Sequence, residues 1–181
     1  MKTYQKKDVV AFHKTKEQWG QLSNMCAGFP ILVEGTEIRT SEALYQALKF
    51  PSNPDVQQEI IVQKSPMAAK MVAKKNSALI RDDWDSVRVA AMYWCVSLKV
   101  LQNWDQITPI LKEVGSRNVV EKSTKDQFWG CKEIGDEFVG VNALGRIWDK
   151  IITGIKNGNI TQETSQKAPF IRNNLFLGKA L

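Results

Sequence analysis

One ten-residue stretch carries the side chains best suited to chemistry. In Ser41-Glu42-Ala43-Leu44-Tyr45-Gln46-Ala47-Leu48-Lys49-Phe50 a carboxylate, a phenol, a carboxamide and an amine stand at positions 42, 45, 46 and 49. On a helix turning about 100° per residue these four share one narrow face, and Ala43, Leu44, Ala47, Leu48 and Phe50 take the other. A carboxylate beside a lysine allows acid–base work. If the lysine sheds its proton, it can also attack an electrophilic carbon. The apolar arc needs a core. The polar arc has two readings, a solvated face or the wall of a pocket. Charged helix faces are usually solvated. A tyrosine among the polar residues, and a strand directly before the helix, point to the pocket.

Four further segments could add to such a site. In Arg81-Asp82-Asp83-Trp84-Asp85-Ser86-Val87-Arg88 the spacing lets Arg81 meet Asp85, and Trp84 meet Arg88, on a helix. An arginine can grip a phosphate and a tryptophan can stack on a base. The plain reading is a helix start with a local ion pair. In Glu121-Lys122-Ser123-Thr124-Lys125-Asp126-Gln127-Phe128-Trp129-Gly130, Asp126 stands three residues before an indole followed by glycine. This suits a site wall, and equally a loop whose aromatics plug a core. Gly140-Val141-Asn142-Ala143-Leu144-Gly145-Arg146 offers a helix N-terminus with N–H groups for an anion, or simply Asn142 as an N-cap. Trp19-Gly20-Gln21-Leu22-Ser23-Asn24 is a polar loop with donors for a ligand. None of these has the glycine spacing of a Walker or Rossmann phosphate loop.

The elements that must hold these residues are mostly helical. Val9–Phe12 reads as a strand, and 30–38 as two strands about Glu34-Gly35. Helices are expected over 41–50, 55–63, 66–75, 83–101, 104–114 and 141–155. The 41–50 helix stops before Pro51. Val87, Ala91, Trp94, Cys95, Leu98 and Leu101 form one apolar stripe along the 83–101 helix. Asn118–Glu121 is a further short strand. The total is an α+β domain, helix-rich with a small sheet. We expect one domain over 1–155 and a C-terminal extension over 156–181, packed or mobile.

Composition narrows the partners. The net charge of +6 suits a phosphate-bearing ligand or nucleic acid, although plain solubility explains it too. No long basic stripe marks a duplex-binding surface. His13 is the single histidine, so acid–base work falls to carboxylates or lysine. Three cysteines, with no Cys-x-x-Cys pair, predict neither a disulfide framework nor a zinc site, and point to a reducing compartment such as the cytoplasm. No apolar run nears the roughly 20 residues of a membrane span, and no signal peptide is read. No metal or cofactor is called for.

Taken in order, these segments resemble the NADAR (YbiA-like) superfamily. The resemblance rests on Gly20–Asn24, Ser41–Lys49, Arg81–Trp84 through Met92 and Lys99, Glu121–Gly130 and Gly140–Gly145, and covers about residues 8–155. Departures are Met25 after Ser23-Asn24, where members often carry an aromatic, and Ala73-Lys74, where Gly-Arg is common. The resemblance implies a YbiA-like fold and an N-glycosidase acting on a phosphorylated ribose. The substrate would be either a riboflavin-pathway ribosylaminopyrimidine phosphate or ADP-ribose on a guanine base of nucleic acid. On that implication Glu42 and Asp126 are the catalytic carboxylates. Lys49 is a phosphate anchor or a Schiff-base nucleophile. Trp84 and Trp129 sandwich the base or ribose, Arg81, Arg88 and Lys99 contact the phosphate, and Tyr45 and Gln46 are substrate-binding. Ser23, Asn24 and Asn142 bind ribose hydroxyls or phosphate. The rival reading is a non-catalytic module that binds ADP-ribose or a related nucleotide.

Overall fold

The computed structural model describes residues 1–181. In chain order the elements are β1 (Lys2–Gln5), β2 (Val9–Phe12), β3 (Ile31–Val33), β4 (Thr36–Ile38), α1 (Ser41–Ala47), α2 (Pro54–Ile61), α3 (Pro66–Lys75), α4 (Trp84–Gln102), α5 (Trp104–Val114), β5 (Asn118–Glu121), β6 (Cys131–Ile134), β7 (Glu137–Gly140), α6 (Ala143–Lys156), β8 (Leu175–Phe176) and β9 (Lys179–Ala180). The architecture is α+β, as the sequence predicts. The chain divides into two units: Met1–Cys26 with Trp104–Thr164, and Ala27–Asn103 with Ser165–Leu181. No helix is long and apolar enough to cross a membrane.

In the first unit β2 and β5 pair in parallel, Val9 opposite Asn118 and Phe12 opposite Glu121. β1, β7 and β6 form an antiparallel sheet in that order. Val120, Cys131 and Phe138 are buried together, with Tyr4, Val9 and Ala11 packed against them. Helix α6 turns Leu144, Ile147, Trp148, Ile151 and Ile152 inward and packs on β5. Burying each such side chain contributes about 1.5–3 kcal/mol.

The second unit is built on α1. Thr40 caps the helix, its Oγ1 accepting from the Ala43 N–H at 3.2 Å. The helix is shorter than the pattern predicts. After Ala47 the bonds tighten: the Lys49 N–H donates to Gln46 O and the Phe50 N–H to Ala47 O, one residue short of the α spacing. Lys49 therefore sits in a closing turn, not on the helix. α2, α3 and α4 all pack on α1. α3 begins at Pro66 behind Ser65, whose Oγ accepts from the Ala68 N–H at 3.4 Å. α4 buries Ala91, Trp94, Cys95, Leu98 and Leu101 of the stripe read from the sequence, and Val87 is partly buried. β3 and β4 form the hairpin expected about Glu34-Gly35, whose φ angles of 49° and 78° suit a two-residue turn.

Residues 165–181 are tied into this second unit. The buried Gln57 side chain on α2 donates to Ala47 O at 3.2 Å and to Leu175 O at 2.9 Å, and accepts from the Leu177 N–H at 2.6 Å. Phe176, between those anchors, is fully buried. The Trp94 indole donates to Gln166 O at 2.9 Å.

Candidate active site

Every residue of α1 is buried, so its polar arc does not face open water. Glu42 is 7% exposed and Gln46 3% exposed. Four apart on the helix, they meet as the Gln46 Nε2 donates to Glu42 Oε1 at 2.8 Å. A solvated face is excluded; the protein keeps a carboxylate and an amide inside. Burying such groups is costly unless they are paired, and half of the Gln46 amide is not: its Oε1 is buried without a partner.

Lys49 completes the cluster. Its ammonium lies 5.5 Å from the centre of the Tyr45 ring and 5.6 Å from that of Trp84. The two rings lie 5.0 Å apart, tilted by 52°. Burial lowers the Lys49 pKa; the negative charge of Glu42 partly opposes the shift, and the positive charge of Lys70 on α3 adds to it. A lysine with a lowered pKa beside aromatic rings has two of the properties of an amine nucleophile. Lys70 escaped the sequence reading because helix periodicity does not show which neighbouring helix brings a charge close. Glu42 also raises the pKa of the wholly buried Cys95 thiol, after burial itself, which places the carboxylate near α4.

The Arg81 region differs from its expected pairing. Helix α4 starts at Trp84, so Arg81 lies outside it and cannot use an i,i+4 contact to Asp85. Instead its Nε donates to Asp83 Oδ1 at 2.5 Å and its Nη2 to Asp83 Oδ2 at 3.0 Å. The Nη2 also reaches Arg172 O at 2.5 Å. The Arg81 N–H donates to Lys49 O at 2.9 Å, fixing the segment beside the lysine. Asp85 faces Arg88 at 3.6 Å. Arg88 is half-buried, on the first turns of α4. Lys99 is fully buried, its ammonium 4.8 Å from the Phe29 ring centre.

The remaining candidates lie in the first unit. Asp126 uses Oδ1 to accept the N–H groups of Phe128 and Trp129, both at 2.9 Å. It thereby closes the turn that presents Trp129 edge-on to Phe128, ring centres 5.1 Å apart. Ser23 and Asn24 are buried just after a turn of 3₁₀ helix over Gly20–Leu22, where the Trp148 indole donates to Leu22 O at 3.0 Å.

Asn142 is fully buried with φ 56°. Its Nδ2 donates to Val119 O at 2.8 Å and its Oδ1 accepts from the Glu121 N–H at 3.2 Å. The side chain is a strut onto β5 and caps nothing, contrary to the N-cap reading. The α6 N-terminus is not open to an anion either. The Ala143 N–H donates to Phe128 O at 2.9 Å and the Leu144 N–H to Trp129 O at 3.1 Å.

Gly145 explains the end of that motif. A Cβ there would come within 2.1 Å of Val119 O and 2.4 Å of the Asn142 amide nitrogen. Gly145→Ala should cost about 3 kcal/mol through overpacking against backbone. For a chain this long that is a melting temperature lower by about 6–12 °C, readable by calorimetry. A melting point within 2 °C of wild type would contradict the close packing.

A family model for the NADAR domain matches residues 11–156. The chain belongs to the NADAR family of N-glycosidases. The Escherichia coli K12 protein named N-glycosidase YbiA is 31% identical over 137 residues, 76% of this chain and 82% of that protein. A Vibrio vulnificus riboflavin biosynthesis protein is 33% identical over 143 residues, but this NADAR chain spans only 36% of its length. The NMR structure of E. coli YbiA superposes with a TM-score of 0.71 at 27% identity, over 87% of this chain and 92% of that one. The NADAR match ends with α6, so β8 and β9 lie beyond it.

Proposed function

We propose that this NADAR protein cleaves the bond between C1 of a phosphorylated ribose and the nitrogen of a base, with Lys49 as nucleophile. The observation that carries the reading is the Lys49 environment. The amine has a lowered pKa, lies against two aromatic rings, and has the Glu42 carboxylate within electrostatic reach. A residue serving only to hold phosphate gains nothing from a lowered pKa, since it binds best fully charged.

In the proposed sequence the unprotonated Lys49 Nζ bonds to C1 as the C1–N bond to the base breaks. The base leaves with the electron pair and takes up a proton. The new C1–N(lysine) nitrogen gives its proton to Glu42, which passes it to the ring oxygen as the C1–O bond breaks and the sugar opens to a protonated imine. Water adds to that imine and releases the sugar, regenerating Lys49. Glu42 also steadies positive charge on the ribosyl ring while the bond to the base is breaking. Trp84 and Tyr45 flank the reacting group, and Arg88 is the proposed phosphate contact.

Two substrates fit the reading: a ribosylaminopyrimidine 5-phosphate and ADP-ribose carried on guanine in DNA. Curated relatives named for riboflavin biosynthesis favour the first, and the net charge of +6 accommodates the second. The test is incubation with each, assay for free base, and borohydride reduction during turnover. Base release with a reduced sugar–lysine adduct at position 49 is the expected result. Tight binding with no release would instead identify a nucleotide-binding module.

A pH profile adds a check with a defined sign. The rate should rise with pH through an inflection below the ordinary lysine range, as Lys49 loses its proton. Removing the Lys70 charge by Lys70→Gln removes one cause of the lowering, so the inflection should move to higher pH and the rate near pH 7 should fall. An inflection unchanged or shifted downward would show that Lys49 does not set the profile.

A further inference from the structure

We propose that the side-chain oxygen of Gln46 is the acceptor that selects the sugar, taking a hydrogen bond from the ribose 2-hydroxyl and making the enzyme specific for ribose over 2-deoxyribose. This rests on the N-glycosidase reading above and adds to it the group on the sugar that the site recognises.

The orientation of the Gln46 amide is set by its neighbour. An ionised carboxylate only accepts, so Glu42 must face the amide nitrogen, as it does at 2.8 Å. The amide oxygen is then the end left over. It is buried in a side chain only 3% exposed, and nothing in the protein donates to it. A carbonyl stripped of water without a donor is costly. A fold that nonetheless keeps one beside Glu42 holds a place for a donor from outside.

The chemistry of the substrate narrows that donor. Phosphate oxygens and the ring oxygen of the sugar accept, so they cannot satisfy Gln46. The sugar hydroxyls can, and so can N–H groups of the base, but the hydroxyls are the donors that stay beside C1 once the base has left. The covalent geometry of the amide keeps its oxygen within about 2.3 Å of the nitrogen that touches Glu42. The donor therefore lies within a sugar's width of that carboxylate. Glu42 and Lys49 act at C1, and the hydroxyl nearest C1 is the one on C2. Hydrogen bonds to that hydroxyl strengthen as positive charge builds on the ring during glycosyl cleavage. The effect should therefore appear in kcat as well as in binding. A site built around a sugar hydroxyl also rejects the analogue that lacks it, because its own acceptor is left unpaired.

The test compares the ribosyl substrate with its 2-deoxyribosyl counterpart, in wild type and in Gln46→Met, which keeps side-chain length and removes the acceptor. Deoxyribosides break more readily on their own, but that intrinsic difference cancels when the two ribose-to-deoxyribose ratios of kcat/KM are compared. The ratio should be larger in wild type by about tenfold or more. Equal ratios, with base release intact, would overturn the Gln46 assignment and leave the N-glycosidase reading standing. Failure of wild type to release base from any ribosyl substrate would overturn that reading instead.

A second measurement needs neither turnover nor a variant. Ribose 5-phosphate and 2-deoxyribose 5-phosphate are titrated into wild-type protein by calorimetry. Binding of the ribose form about tenfold or more tighter is expected. Equal binding, as if a water occupied the place beside Gln46, or no binding of either sugar, would overturn the proposal.

Discussion

Lys49→Arg should reduce base release by about a thousandfold or more, with the fold intact. Arginine keeps the positive charge and much of the length, and it grips phosphate at least as well as lysine. It does not lose its proton in the range where enzymes work, so it cannot attack C1. The substitution therefore separates the two roles that a lysine in this sequence can have. If Lys49 holds phosphate, the arginine variant retains most of the activity. If Lys49 is the nucleophile, single-turnover base release collapses and borohydride no longer captures a sugar on the protein. Retention of more than about a tenth of the wild-type rate would sink the covalent route. Stability should barely change, because the turn holding Lys49 is made by backbone bonds to Gln46 and Arg81, which do not depend on its side chain.

Glu42→Gln should lower turnover by about 10²–10⁴-fold, the range expected when a positioned acid–base group loses its charge. The replacement is close to isosteric, and its carbonyl can still accept from Gln46, so the local geometry should survive. The informative readout is the pH profile. The Glu42 charge raises the pKa of Lys49 against the effect of burial. Without that charge the inflection should move to lower pH, opposite to the shift from Lys70→Gln. A slow enzyme with its inflection displaced downward fits a carboxylate that both handles protons and restrains the lysine. A slow enzyme with an unmoved profile would place Glu42 outside electrostatic reach of the reacting amine. Activity close to wild type would remove Glu42 from the mechanism altogether.

Much of this was legible in the chain and some was not, for reasons that differ by residue. The 3.6-residue period put Glu42, Tyr45 and Gln46 on one face, and a local pattern suffices for that; Lys49 joins them from the closing turn. It could not show what covers the face. α1 is buried all round because α2, α3 and α4 pack on it, and those contacts lie tens of residues away. The hairpin about Glu34-Gly35 was readable because its turn chemistry is local. The hairpin of β6 and β7 carries a similar signal, Gly135-Asp136 between two four-residue strands. It went unread because Lys132 and Glu133 dilute its apolar pattern. Asn142 looked like a cap or a ligand contact because the sequence gives its place before a helix. Its real partners, Val119 and Glu121, are 23 and 21 positions away. Arg81 paired with Asp83 and not Asp85 because the helix began three residues later than Arg81, and helix ends are set by caps that spacing alone does not fix.

The tie made by Gln57 bears on how the domain can be moved between proteins. The family match stops at residue 156, and a chimera cut there would look complete by sequence. Gln57 would then face a gap where Leu175 and Leu177 had met it, and the seat of Phe176 would be empty. The same amide also holds the carbonyl of Ala47, the last residue of the helix that carries Glu42 and Gln46. The smallest transplantable piece is thus longer than the family match. Exchanging the tail between relatives would alter the footing of α1 without touching any residue on its polar face.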